Sequence, residues 1–184
     1  MEQEKRWIKK IKRNGNEEAA NQLISKYYKE IYAFVYKQTL DMDISLDLTQ
    51  EIFISVLKSL DRFDEKKASF RTWLYRIASN RVVDYFRSQQ YQYRKLAESI
   101  EGVELRSSED LTVNLVYKED LEKVIAIVNE METSSQQIIR LKLFSEYTLQ
   151  EIAEMLQVPL STVKSRYYSA LRKIKANLEV NPVE

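Results

Sequence analysis

The chain has 184 residues, with 29 Lys+Arg against 28 Asp+Glu and a net charge of +1. That is room for one or two small domains, without the global basic excess of a protein that coats nucleic acid. It has no Cys, no His, and only two Gly and two Pro, which excludes thiol catalysis, disulfides, Ser-His-Asp chemistry and Cys/His zinc sites and disfavours hairpin-rich β folds and Gly-rich phosphate loops. Catalysis by carboxylates or Lys stays formally open, but no Asp/Glu pair sits in an obvious apolar pocket sequence, so no catalytic residue, metal site or cofactor is expected. No apolar run approaches the ~20 residues of a membrane span. Lys5, Arg6, Lys9, Lys10, Lys12 and Arg13 break any signal-peptide pattern at the N-terminus, so the expected location is the cytoplasm.

Nearly every segment has helical periodicity, and the predicted fold is all-α. Residues 17–39 place Ala20, Leu23, Ile24, Tyr27, Tyr28, Ile31, Phe34 and Val35 at spacings of three and four. Asp41-Met42-Asp43 reads as a loop. Residues 46–60 repeat the pattern, with Leu48, Ile52, Phe53, Val56 and Leu60 on one face and Asp47, Gln50, Glu51, Ile54 and Lys58 on the other. Ile54 among those polar residues suits either a lone exposed apolar residue or the centre of a protein-docking patch.

Asp61–Lys67 reads as a second loop, and residues 70–88 as a helix carrying Phe70, Leu74, Ile77, Ala78, Val82 and Tyr85 on its apolar stripe. Residues 66–95 hold eight basic side chains and one acid, Asp84, interleaved with Phe70, Trp73, Tyr75, Tyr85, Phe86, Tyr91 and Tyr93. Cations follow a phosphate backbone and aromatic faces stack on unpaired bases, so the cluster suggests single-stranded nucleic acid, although many of the rings must be core. From Leu96 to about Asp110 the pattern fades into polar, acidic sequence, the best linker candidate. The expected organisation is one helical domain over 1–95, a flexible linker over 96–111 and a second helical domain over 112–184.

The sharpest local signal lies at 148–177. Thr148 followed by Glu151 reads as a capping box, Pro159 breaks the short helix that follows, and Ser161 is the expected N-cap of the next. On that next helix Val163, Tyr167, Ala170, Leu171 and Ile174 share one face. Ser161, Ser165, Tyr168, Ser169 and Arg172 share the other, flanked by Lys164, Arg166, Lys173 and Lys175. From Pro159 to Ala176 there are five basic residues and no acid. A short helix, a tight turn and a basic amphipathic helix match a DNA-reading helix-turn-helix. The alternative is a helical hairpin with a solvated basic face.

Taken together, DLTQEIFISVLKSL at 47–60, FRTWLYRIASNRVVDYFR at 70–87 and YTLQEIAEMLQVPLSTVKSRYYSALRKIK at 147–175 resemble the extracytoplasmic-function sigma factors of bacterial RNA polymerase. The motifs stand in the family's order and cover nearly the whole chain. The resemblance implies two helical domains, sigma regions 2 and 4, joined by a flexible linker. It implies that Asp47, Gln50, Glu51 and Ile54 dock on the clamp helices of the polymerase's largest subunit, with the flap of the second largest also a partner. It implies a loop that captures a flipped base of the −10 element, and a −10 surface of Arg62, Lys66, Phe70, Trp73, Arg76, Asn80, Asp84 and Arg87. The −35 surface would be Ser161, Thr162, Lys164, Ser165, Arg166, Tyr168 and Arg172. Ser169 stands where many members carry Arg. The resemblance also implies a membrane-anchored anti-sigma factor that holds the protein until a stress signal, and no small-molecule substrate.

Two other readings remain open on the residues alone. A stand-alone helix-turn-helix regulator accounts for 148–176 but not for the 47–54 face or the aromatic basic helix. A protein-binding helical adaptor predicts that Lys164 and Arg166 are dispensable. The net charge of +1 also divides by segment, since the two basic stretches are offset by ten acids between Leu96 and Glu132.

Overall fold

The computed structural model describes residues 2–88, 91, 113–145 and 147–180. Helix α1 spans Glu2–Asn14, α2 Glu17–Thr39 and α3 Met42–Ser59. A 3-10 turn at Leu60–Arg62 leads through a short loop into α4, Phe70–Arg87. Then come α5 (Val113–Asn129), α6 (Thr133–Phe144), α7 (Leu149–Leu156) and α8 (Leu160–Val180). The described residues contain no strand. None of their helices is long and apolar enough to cross a membrane. The linker expected over 96–111 and the domain boundary at 95 lie outside the described residues.

The helix ends follow from local chemistry. Gly15 follows α1 at φ +62°, and its N–H reaches the Ile11 carbonyl at 2.8 Å. A residue with no Cβ takes this left-handed position without strain. Asn16 then caps α2, its Oδ1 accepting from Ala19 N at 2.8 Å. Leu40 closes α2 in the same left-handed region at φ 54°. Asp41 caps α3 by accepting from Ile44 N at 3.0 Å. The expected loop at 41–43 is thus shorter than its polarity suggests: Met42 and Asp43 are already helical, because Asp41 satisfies a first-turn donor. Ser69 caps α4 by accepting from Thr72 N at 3.1 Å.

Helices α1 to α4 bury Leu23, Ile31, Phe34, Val35, Leu48, Ile52, Val56, Leu74, Ala78 and Val82. Helix α1 clamps the loop after α3. Its Lys12 ammonium donates to the Phe63 carbonyl at 2.6 Å, and its Lys5 pairs with Glu65 at 3.2 Å. In the C-terminal half, Val163 from α8 joins Ile138, Leu141 and Ile152, while Ala170 and Ile174 pack with Val128, Met131 and Ile139. The apolar face of α8 therefore buries against α5 and α6 as well as against α7.

The capping box at 148 forms in both directions. Glu151 N donates to Thr148 Oγ1 at 3.2 Å, and Thr148 N donates to Glu151 Oε2 at 2.8 Å. Those bonds from the Thr148 backbone and side chain hold the Glu151 carboxyl below its ordinary 4.5. A lowered carboxylate pKa adds stability that is present above the unfolded value and fades as pH falls through the folded one. Thr148→Ala should cost about 1 kcal/mol at neutral pH and lessen this acid-side loss without abolishing it, because the backbone N–H of residue 148 still donates to Glu151. Thermal melts near pH 7 and pH 3 check both parts.

Helix α8 begins at Leu160, so Ser161 lies inside its first turn rather than capping it. The turn before it uses Gln157 at φ 57°, and Val163 N reaches the Pro159 carbonyl at 3.1 Å.

Candidate nucleic-acid interface

On α3, Asp47, Gln50, Glu51 and Ile54 are all exposed, and Ile54 shows 50% of its surface. Met42 and Leu46, at the start of the same helix, are exposed too. Sequence reasoning missed them because the polarity of 41–43 marks Met42 as loop. A stripe of Met42, Leu46, Gln50 and Ile54 at four-residue spacing is visible once Asp41 is seen to cap the helix. Glu51 is tied to α4: the Arg81 guanidinium grips its carboxylate, with Nε at 2.8 Å from Oε2.

On α4, Arg76, Asn80, Asp84 and Arg87 are exposed along one side, and Arg62 and Lys66 are exposed in the preceding turn and loop. Trp73 is half-buried, its ring 5.2 Å from Phe63 and 5.8 Å from Phe70. Phe70 requires a correction. It is only 2% exposed, and its ring stands against Tyr27, Phe63 and Trp73. It lies on the apolar stripe at the first turn of α4, so packing takes its face and none is left for a base. Tyr75 and Phe86, two other rings of the aromatic cluster, are also core.

Tyr75 and Phe86 are buried because α4 has a second covered face. Helices α6 and α7 lie across it. Tyr147 meets the Tyr75 ring edge-on at 5.3 Å, and Arg71 Nη1 donates to Tyr147 Oη at 3.0 Å. Arg87 Nη1 donates to Thr133 Oγ1 at 2.8 Å, and Gln137 Nε2 donates to Asn80 Oδ1 at 2.6 Å. Two residues of the expected −10 surface, Asn80 and Arg87, are thus engaged by α6.

Arg140 of α6 is the most buried charge in this seam, with 0% of its surface exposed. Its Nη1 donates to Gln38 Oε1 on α2 at 2.9 Å, and Nη2 bonds Asn129 Oδ1. Its guanidinium lies 4.5 Å from the Phe86 ring centroid. Desolvation pulls its pKa down to about 9, opposed by Tyr91. The sequence offered no local sign of this role, since Gln38 is 102 residues away.

On α8, Ser161, Lys164, Ser165, Tyr168 and Arg172 differ in how far they reach solvent. Ser161, Lys164 and Tyr168 are exposed, Tyr168 by 53%, as is Ser165 beside them, while Arg172 is exposed one turn on. Thr162 and Arg166 are half-buried. Arg166 faces the seam, where it shares a cavity with Arg76 and Asn80. The structure therefore keeps most of the expected −35 residues on one open face and brings Arg166 to the expected −10 residues.

Residues 23–91 match the family model of Sigma-70 region 2, and residues 128–176 match that of Sigma-70, region 4. The ECF RNA polymerase sigma factor SigW of Bacillus subtilis (strain 168) is 32% identical over 92% of this chain and 95% of its own. This chain belongs to the ECF sigma factors. SigX of the same organism is 28% identical over 89% of this chain and 86% of its own. In fold, the chain is similar to CnrH, solved in complex with the cytosolic domain of CnrY, with a TM-score of 0.62 and 20% identity over 98% of this chain and 99% of that one. It is also similar to the sigma factor RpoE of Bartonella quintana, solved with the anti-sigma factor NepR, with a TM-score of 0.53 and 18% identity over 88% and 98%. An ECF sigma factor works with core RNA polymerase on promoter DNA. The helix-turn-helix of 148–176 is thus part of a transcription initiation factor rather than a stand-alone regulator.

Proposed function

We propose that this sigma factor divides promoter recognition between α4 and α8, and docks on polymerase through α3. The observation that carries the reading is the separation of faces. An exposed carboxylate–apolar stripe on α3, a cationic side of α4 and an acid-free outer face of α8 each match a different kind of partner.

Asp47, Gln50, Glu51 and Ile54 meet the clamp helices of the largest subunit, with Ile54 as the apolar centre of a polar-rimmed patch. Arg62 and Lys66 flank the loop that holds an extruded −10 base, and Trp73, Arg76, Asn80, Asp84 and Arg87 line the opening duplex. Phe70 serves this surface from beneath, as packing for the loop and for Trp73. Capturing an extruded base offsets a few kcal/mol of unstacking. On α8, Lys164, Ser165, Arg166, Tyr168 and Arg172, with Ser161 and Thr162 in the first turn, meet the −35 element, each good base contact adding ~1–3 kcal/mol of discrimination. The flap of the second-largest subunit holds the C-terminal domain over that element. The domain limits are 1–95 and 112–184 with a linker of 96–111, so tethering lets two weak sites act together. A protein inhibitor, a membrane-anchored anti-sigma factor, restrains it until a stress signal. The two similar solved structures, one with CnrY and one with NepR, support the protein inhibitor.

Ile54→Glu tests the dock. A central apolar residue of an interface is worth at least ~2 kcal/mol, or about 30-fold in affinity. Anisotropy of the labelled protein with core polymerase should show that loss with an unchanged far-UV circular dichroism spectrum. Unaltered affinity would remove α3 from the interface.

A further inference from the structure

A small cavity lies in the seam between the halves, with a volume of about 200 Å³. It is lined by Arg76 and Asn80 of α4, Ser134 and Gln137 of α6, Leu156 and Val158 around the end of α7, and Arg166 of α8. Two arginines line it, and no carboxylate does. The other arginines of α4 are engaged: Arg71 by Glu30, Arg81 by Glu51 and Arg87 by Thr133. Arg76 and Arg166 make no ion pair or hydrogen bond among the described residues. The Ser134 hydroxyl is buried without a hydrogen-bond partner there.

Like charges brought to one cavity repel unless an anion stands between them. Guanidinium forks, an amide and a hydroxyl are the donor set that oxyanions take, by charge-assisted and bidentate hydrogen bonds. Size narrows the ligand. Pockets for drug-sized molecules run from ~300 Å³ upward, whereas a water occupies ~30 Å³. The cavity is therefore scaled to a phosphate or pyrophosphate group.

We propose that the seam cavity binds a small phosphate-class oxyanion held jointly by Arg76 and Arg166. Because those residues come from the two halves, the bound anion bridges them. The bridge keeps α6 against Asn80 and Arg87 and holds Arg166 away from solvent. The consequence for initiation rests on the reading above, in which these residues face promoter DNA. The binding event itself does not.

The test is calorimetric titration of the full chain with inorganic phosphate, and separately with pyrophosphate, at ionic strength held constant with chloride. The expected result is saturable one-to-one binding. It should weaken at least tenfold in Arg76→Gln and in Arg166→Gln, and vanish in Gln137→Glu, whose carboxylate takes the anion's place. Circular dichroism controls for folding of each variant. In run-off transcription, saturating phosphate should slow open-complex formation at least threefold in wild type and leave Gln137→Glu unresponsive. A response that does not saturate, matches chloride, or survives both arginine substitutions overturns the site. Saturable binding in a chain that cannot direct core polymerase supports the site and overturns the promoter reading. Active initiation without saturable binding overturns the site alone.

Discussion

Replacing Lys164 and Arg166 together with Ala lowers run-off transcription from a −35-dependent promoter by about 100-fold or more. Each side chain contributes on the order of 1–3 kcal/mol if it reaches a base or phosphate, and every 1.4 kcal/mol is about tenfold. The fold should survive, because Lys164 is exposed, Arg166 is half-buried at the rim of the seam, and the helix itself rests on Val163, Ala170 and Ile174. Ala is also the best helix former. The effect should sit in promoter binding rather than in polymerase docking, since the proposed docking stripe lies on α3. Holoenzyme affinity for duplex promoter, measured across salt, checks this. The slope of log affinity against log salt should fall by about one for each DNA phosphate that the variant no longer neutralises. Unchanged activity would favour the adaptor reading, in which the basic face of α8 is only solvated.

The second large effect concerns the seam. Gln38→Lys places an ammonium against the Arg140 guanidinium, where Gln38 Oε1 now accepts at 2.9 Å. Two unit charges ~4 Å apart repel by about 4 kcal/mol at an effective dielectric of ~20. That cost arises only while α6 lies on α2, so the chain relieves it by parting the halves rather than by unfolding either one. Gln38→Glu acts in the opposite direction. It gives a buried cation a carboxylate partner from the other half, and the contact tightens. The absence of native Cys allows a clean distance measurement. Labels on Lys29→Cys and Ala176→Cys, both exposed, should move apart in Gln38→Lys and keep the distance of the unsubstituted protein in Gln38→Glu, with helicity unchanged in both. Equal distances in the two variants would show that Arg140 does not hold the halves together.

Much of this could be read in the sequence where the cause is local. The apolar stripe Leu48, Ile52, Phe53, Val56 and Leu60 follows from helical periodicity, and all five are buried. The Thr148–Glu151 capping box follows from spacing alone. The exposed positions of Asp47, Asn80 and Lys164 follow because one face of each helix is apolar and the other must meet water. What escaped is what long-range packing creates. Tyr75, Ser79, Val83 and Phe86 form a second buried face on α4 that no single period reports, because its covering comes partly from Arg140 and Tyr147, more than 50 residues onward. Arg140 reads as an ordinary surface charge until Gln38 and Asn129 close around it. Phe70 belongs to the DNA surface by resemblance, although its own periodicity already puts it in the core.

The seam also alters how the basic stretches should be understood. Segment by segment they mark two DNA surfaces, yet in this arrangement Asn80 and Arg87 are held by α6 and Arg166 turns inward. We infer that the free chain reads promoter DNA poorly, and that Asn80, Arg87 and Arg166 become available when polymerase draws the halves apart.

The most direct measurement is run-off transcription with purified core polymerase, paired with promoter binding by the protein alone. The expected result is tight, sequence-selective binding and a defined start site only when core polymerase is present, both abolished in Ile54→Glu and in the Lys164→Ala, Arg166→Ala pair. Tight, specific promoter binding by the isolated chain, or no start site with core polymerase present, would contradict the account.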